Sequence, residues 1–304
     1  MEEPSREVLE AAHCWEASDR VPGDAVTIAF RRRARLHQAR WRETHGHPIG
    51  SQPINPRAEA TSRPVGARLP VGYARETGAA FVTPAARAAA EARTERKEAH
   101  QTFDRQRLWA DLLWAPALAV NLFAGADDRA VRTWWPDAPG TVADVRFEHS
   151  PGRLDPAFLG NLSSFAAAVV LDQGDGTQGV VGIRALYADL VKREQPKPRN
   201  LARYQEVAER SGAFAHIPDG GRSDLTEIWL DHLLVHSMLQ HPSAAWSWGR
   251  LVLLHPAPHA QAVDAARRYR ELLQPDDTTF ATMTLEDTLD GHRDAALRER
   301  YLVT

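Results

Sequence analysis

Residues 147–204 read FEHSPGRLDPAFLGNLSSFAAAVVLDQGDGTQGVVGIRALYADLVKREQPKPRNLARY. Two apolar runs in this block, FAAAVVLD (165–172) and TQGVVGIRALYADL (177–190), flank Asp175-Gly176. An Asp-Gly pair between such runs is a hairpin signal, so they predict antiparallel strands buried on at least one face. Just upstream, TVADVRFEH (141–149) alternates and is β-branched enough for a third strand. Downstream, residues 199–212 and 224–241 read as helices, GRLVLLHPA (249–257) as a buried strand, and AQAVDAARRYRELL (260–273) as a helix. TFATMTLEDTL (279–289) supplies a last short strand and helix.

Upstream of residue 136 the texture is helical. Residues 26–45 place Phe30, Ala34, Leu36 and Trp41 along one stripe, with arginines on the other faces. Residues 46–72 carry Gly and Pro repeatedly and predict a long irregular connection. Thr83 is an N-cap candidate with Pro84 in the first turn of a helix running to about Thr102. Residues 103–123 predict a third helix, kinked or divided at Pro116. The order implies an α/β (α+β) sheet core, residues 136–304, with an N-terminal helical lobe, residues 1–135, packed on it as one compact unit.

The 304 residues are 43% hydrophobic and 25% charged, which excludes a wholly disordered chain. The lone Cys14 excludes a disulfide framework or a cysteine-rich zinc module. No apolar run is long enough for a membrane span. The acidic first twenty residues lack the apolar stretch of a secretory signal, so a cytoplasmic location is expected. The net charge of -3 excludes a uniform polycation but hides an asymmetry: residues 31–110 hold 16 Lys+Arg against 7 Asp+Glu. That surplus fits a phosphate-facing surface or, more plainly, a solvated arginine-rich helix face. GxSxG, GxxxxGK, HExxH and strand-borne GxGxxG patterns are absent. His232 and His236 lie one helical turn apart, but their leucine-rich setting points to a core helix rather than a metal site.

The 147–204 block resembles a bacterial restriction-endonuclease-type family of the PD-(D/E)XK superfamily. There a similar block reads FE-aromatic-SPGR, Gly-Asn, a Ser-Ala-Phe-Asp strand start, a Gly-(Ile/Val)-Glu-x-Lys-Tyr strand and a PRNLARY-like segment. Residues 39–50, 67–87, 107–124, 134–142 and 249–257 also look like family segments, so the resemblance covers most of the chain in order. It implies a restriction-endonuclease-like mixed β-sheet flanked by helices. It also implies what is missing. The family's Asp and Glu-x-Lys hold Mg²⁺ and orient water; here those positions carry Ala166, Arg184 and Leu186. Glu148 remains, with Asp189 in place of a further acid. The resemblance therefore predicts no bound metal, no cofactor and no metal-dependent cleavage.

Glu148 is then the candidate general acid or base. Arg184 would offer its fork to a ligand carboxylate or phosphate, or else close a buried salt bridge with Glu148. Trp134, Trp135, Tyr187 and Tyr204 are candidate stacking residues among many aromatics, the plainer alternative for each being the core. Arg199 could touch an anionic group or simply cap a helix. A few actinobacterial relatives of the family look repurposed as Pictet–Spengler cyclases, joining a tryptophan-type amine to an aldehyde or α-keto acid to give a β-carboline. The expected function is such a metal-independent cyclase with small-molecule partners, no nucleic acid and no membrane; a homodimer is left open. The alternatives are a catalytically dead pseudo-nuclease that binds DNA through residues 31–110, and a nuclease whose carboxylates have moved to Asp144, Asp172 or Asp189.

Overall fold

The computed structural model describes residues 3–16, 25–55, 58–290 and 295–303. Its centre is a five-stranded mixed sheet in the order β3 (Thr141–His149), β4 (Phe165–Asp172), β5 (Gln178–Ala185), β6 (Trp246–His255), β7 (Phe280–Thr284). β4 and β5 are antiparallel neighbours, as the Asp-Gly turn predicts, β3 pairs antiparallel with β4, and β5, β6 and β7 run parallel. Parallel neighbours need crossovers. The one from β5 to β6 carries α8 (Leu201–Ser211) and α9 (Thr226–Leu239), and the one from β6 to β7 carries α10 (Ala260–Arg270).

Side-chain alternation along the strands sorts them between two cores. Ala167, Val169, Val181, Ile183, Val252 and Leu254 face one side. There they meet α2 (Ala25–Thr44), α4 (Pro84–Glu95), α6 (Ala115–Phe123) and α12 (Ala295–Tyr301). Ala168, Val180, Leu251 and Leu253 face α8, α9 and α10. Each fully buried Val or Leu contributes about 1.5–3 kcal/mol. Gly182 in β5 is bare because the Phe165 ring lies over it: a Cβ there would meet the ring at 2.5 Å.

Several local expectations need correction. Residues 46–72 are not a structureless connection. They contain an antiparallel hairpin, β1 (Gly50–Asn55) and β2 (Ala58–Val65), followed by the start of α3 (Val71–Thr77). This hairpin stands outside the main sheet, where Pro64 can sit in a strand without interrupting an inner ladder. The helix begun by Thr83 stops at Glu95 rather than near Thr102, its C-cap Arg96 being extended. The third helix, by contrast, is divided at Pro116 as expected, into α5 (Arg105–Ala110) and α6, with Pro116 in the first turn of the latter. Trp134 is the last residue of α7 (Asp128–Trp134) and Trp135 its C-cap, while Asp127 caps the other end by accepting from the Ala130 N–H at 2.8 Å.

α1 (Arg6–Ala11) and α11 (Leu285–Asp290) complete the helices among the described residues. The strand of chain around α12 is threaded into the N-terminal lobe. Arg300 is fully buried, donates to the Ala80 carbonyl at 2.6 Å and lies over the Trp41 ring at 4.5 Å. Its own carbonyl accepts from Gln38 Nε2 at 2.7 Å, and the Tyr301 hydroxyl accepts from Asn121 Nδ2 at 2.7 Å. No helix among the described residues is long and apolar enough to cross a membrane.

Candidate functional site

The strand registers put the three decisive positions in one row. Phe147 pairs with Ala167 and His149 with Phe165, so Glu148 falls opposite Ala166. Ala167 pairs with Ile183 across the next ladder, which places Ala166 opposite Arg184. Arg184 in turn pairs with Leu253 of β6.

Arg184 is held by α9, not by Glu148. Its two terminal nitrogens donate to Asp231 Oδ2 at 2.8 Å and Glu227 Oε2 at 2.5 Å. The two acids lie one helical turn apart on α9, which packs across β5 and β6. Burial opposes the charge on Arg184, and the two carboxylates more than offset it, raising its pKa. Burial also raises Asp231 to about 6 against the pull of Arg184. The expected Glu148–Arg184 salt bridge is therefore replaced by an Arg–Glu–Asp group, and the guanidinium fork is already filled from inside the protein.

The residues present do not fit a divalent cation. Ala166 packs with the apolar core on the α4–α6 side, and Leu186 is buried in the core on the α9 side. Among the described residues no three His, Cys, Asp or Glu side chains converge where a metal ion could sit. The alternative carboxylates are scattered. Asp172 pairs with Thr141 at the far end of the sheet, Asp144 is bound by Arg146 at 2.8 Å, and Asp189 lies beyond β5.

Glu148 is built differently. Its backbone is left-handed, with φ 46°, a strained conformation for a residue with a Cβ. Two arginines fix it there. Arg93 donates to its carbonyl at 3.1 Å and Arg153 at 2.6 Å. Glu98 ties the clamp together: it pairs with Arg153, lies 3.8 Å from Arg93, binds His149 Nδ1 at 2.9 Å and accepts from the Ser150 N–H at 3.3 Å. Burial opposes ionisation of Glu98, but the hydrogen bonds from His149 and Arg153 win and hold it at about 2. The Glu148 carboxylate itself has no hydrogen bond or ion pair among the described residues. Burial pushes it up to about 7, against the nearby Arg153 and Arg93.

Beside the clamp lies a recess of about 350 Å³, lined by Ala89, Ala92, Arg93, Arg96, Lys97, Glu98, Val145, Arg146 and Phe147. Four cations against one carboxylate make it basic. Lys97 also lines a neighbouring hollow with Phe103 and Arg105, so the cationic surface continues past the recess.

The remaining sequence candidates are dispersed. Tyr187 is fully buried, its hydroxyl accepting from Gln38 Nε2 at 3.1 Å and its ring edge-on to Tyr301. Tyr204 is fully buried against Trp229 and accepts from Asn200 Nδ2 at 3.1 Å. Trp135 is buried, and Trp134 is half-buried and donates to the Thr288 carbonyl at 3.3 Å; both pack on Phe123. Arg199 is exposed in a short 3-10 turn before α8. These five lie on separate elements: the end of α7, the segment after β5, the turn before α8 and α8 itself. His232 and His236 are core residues: His232 bonds the Tyr269 hydroxyl at 3.0 Å and Thr279 at 2.8 Å.

Sequence reasoning missed Arg93, Glu98, Arg153, Glu227 and Asp231. For the last two a signal existed, two acids at i and i+4 on an otherwise apolar helix. For Glu98 none did, since it sits in a loop 50 residues before Glu148.

No curated protein and no solved structure matches the chain. The pattern of the PD-(D/E)XK nuclease superfamily, however, matches residues 19–303, nearly the whole length. With its mixed sheet and the altered row at Glu148, Ala166 and Arg184, the chain belongs to the PD-(D/E)XK nuclease superfamily.

Proposed function

We propose that this is a metal-independent pseudo-nuclease that holds a nucleic-acid backbone without cutting it. The observation carrying this reading is the basic recess immediately beside the row where superfamily members keep their metal ligands. Arg93, Arg96, Lys97 and Arg146 line it, while Arg184 and its two acids occupy the place of the metal chemistry. A cationic groove binds phosphates whatever the base sequence, and its affinity falls with salt as counterions are released. Fluorescence anisotropy with a labelled duplex should give a log–log salt slope of about -3, for three to four phosphate contacts. Affinity indifferent to salt, or no binding at low salt, would sink the reading. So would cutting of plasmid in Mg²⁺ or Mn²⁺ that EDTA abolishes.

One observation favours a second reading, an acid–base enzyme. The Glu148 carboxylate is half-buried, unpaired among the described residues and poised near neutrality, as a group must be to give and take protons at the same pH. In a Pictet–Spengler condensation it would protonate the leaving water and later remove the indole ring proton. Of the aromatic candidates, Tyr187, Tyr204 and Trp135 are buried in the core. Incubation with tryptophan and a panel of aldehydes and α-keto acids tests it: a product of the summed masses less water supports it, and none with any pair removes it.

A further inference from the structure

A second recess, of about 170 Å³, lies between the N-terminal lobe and the segment that follows β5. That is roughly ten times the space one water needs. Four arginines reach it: Arg31 from α2, Arg35 one turn later, Arg68 from the chain after the hairpin, and Arg107 from α5. Asp111 and Asp189 line it too, with Glu16 at one side and Gln52 of β1 at another.

The internal pairing in this recess is incomplete. Arg107 uses its Nε on Asp111 at 2.7 Å, and Arg31 uses its Nε on the Ala188 carbonyl at 2.7 Å. Glu16 takes Arg35 at 2.9 Å and lies 3.7 Å from Arg31, so the open donors are those of Arg68 and the remaining Arg31 nitrogen. Arg68 makes one long contact, from a terminal nitrogen to the Ser51 carbonyl at 3.5 Å. Its Nε is buried with no acceptor among the described residues. A buried donor left without an acceptor is costly, and an incoming oxyanion would satisfy it. Asp189 is unmet in the complementary sense. Its backbone carbonyl binds His259 Nε2 at 2.7 Å, but its carboxylate takes no hydrogen bond among the described residues. The recess thus offers guanidinium donors and, a few side chains away, a carboxylate acceptor.

We propose that this recess is a binding site for a small metabolite that carries a phosphate or carboxylate oxyanion and, beside it, a hydroxyl or ammonium donor. Arg68 and Arg31 hold the oxyanion, because a planar guanidinium matches two of its oxygens at once. Asp189 accepts from the neighbouring donor. The site is separate from the basic groove: no lining residue is common to the two recesses.

Isothermal titration of the full chain with inorganic phosphate, glycerol 3-phosphate and malate tests the proposal. Saturable binding of one equivalent is expected, tighter for glycerol 3-phosphate than for phosphate if the headgroup is phosphate, and tightest for malate if it is carboxylate. Arg68→Gln should weaken the best ligand at least tenfold. Gln52→Trp, which fills the rim without removing a charge, should do the same in a protein whose melting temperature is unchanged. Arg146→Gln should leave this binding intact while weakening duplex retention, so the two readings fail separately. Absence of saturable binding with all three probes overturns the site, as does binding that survives both Arg68→Gln and Gln52→Trp.

Discussion

Arg184 and Glu148 sit two strands apart in one row of the sheet, yet the protein treats them oppositely. Arg184 is satisfied internally, both ends of its fork being used by α9. Glu148 has its backbone clamped by two arginines while its carboxylate is left unbonded. The difference separates repair from opportunity. At Arg184 a charge introduced into the sheet is neutralised and the fold closes over it. At Glu148 a strained backbone is maintained around a group that nothing inside the protein uses, as at sites where a carboxylate acts on something from outside.

The largest expected effect breaks the Arg184 side. Asp231→Ala leaves a buried guanidinium half-paired and should cost about 3–5 kcal/mol, read from the urea midpoint. Replacing both partners, Arg184→Met with Asp231→Leu, should recover most of that loss. A double variant as unstable as the single one would mean that the pair does more than balance charge. Next, Glu98→Gln loosens the clamp and should cost about 2–3 kcal/mol, since its bonds are charge-assisted. The depressed Glu98 pKa means this contribution is present above the unfolded glutamate range, about 4.3, and is lost as pH falls toward 2.

Glu148 should behave in the opposite sense. Folded, it titrates at about 7; unfolded, at about 4.3. Between those values the folded state keeps a proton the unfolded chain has lost, so stability falls as pH rises, by roughly 4 kcal/mol at most. Glu148→Gln should flatten that part of the pH–stability curve and raise stability at pH 8; a parallel curve would place the carboxylate in water. The smallest effect sharpens the backbone argument. Glu148→Gly removes the Cβ from a left-handed position and should return about 1 kcal/mol of strain at about pH 3.5, below both Glu148 titrations, where the loss of charge does not contribute.

Much of the scaffold is legible in the residues. The Asp175-Gly176 turn between two apolar runs gives the β4–β5 pair, and Pro116 marks the break between α5 and α6. Periodicity reports burial, and buried strands are rich in it. The hairpin at 50–65 escapes because Gly and Pro on an outlying two-stranded ribbon look the same as in a loop. The altered row is legible only by resemblance, since Ala166 and Leu186 signify nothing without an expected acid and lysine. The partners are the least legible part. Arg184 meets α9 residues more than 40 positions away, and Glu148 meets an arginine from the N-terminal lobe; such pairings are set by tertiary packing alone.

The threading of α12 into the N-terminal lobe has a consequence for how the chain is made. Ala80, Asn121 and Gln38 find their partners at Arg300 and Tyr301, so the lobe is finished by residues some 180 to 260 positions later in the chain. During synthesis the lobe emerges early and must wait, with the Trp41 ring not yet covered by the Arg300 guanidinium, until residue 301 clears the ribosome. Contacts of such sequence separation slow folding and lengthen the life of incomplete states. Ribosome-stalled chains ending before residue 295 should therefore remain protease-sensitive within residues 30–125, whatever the state of the sheet.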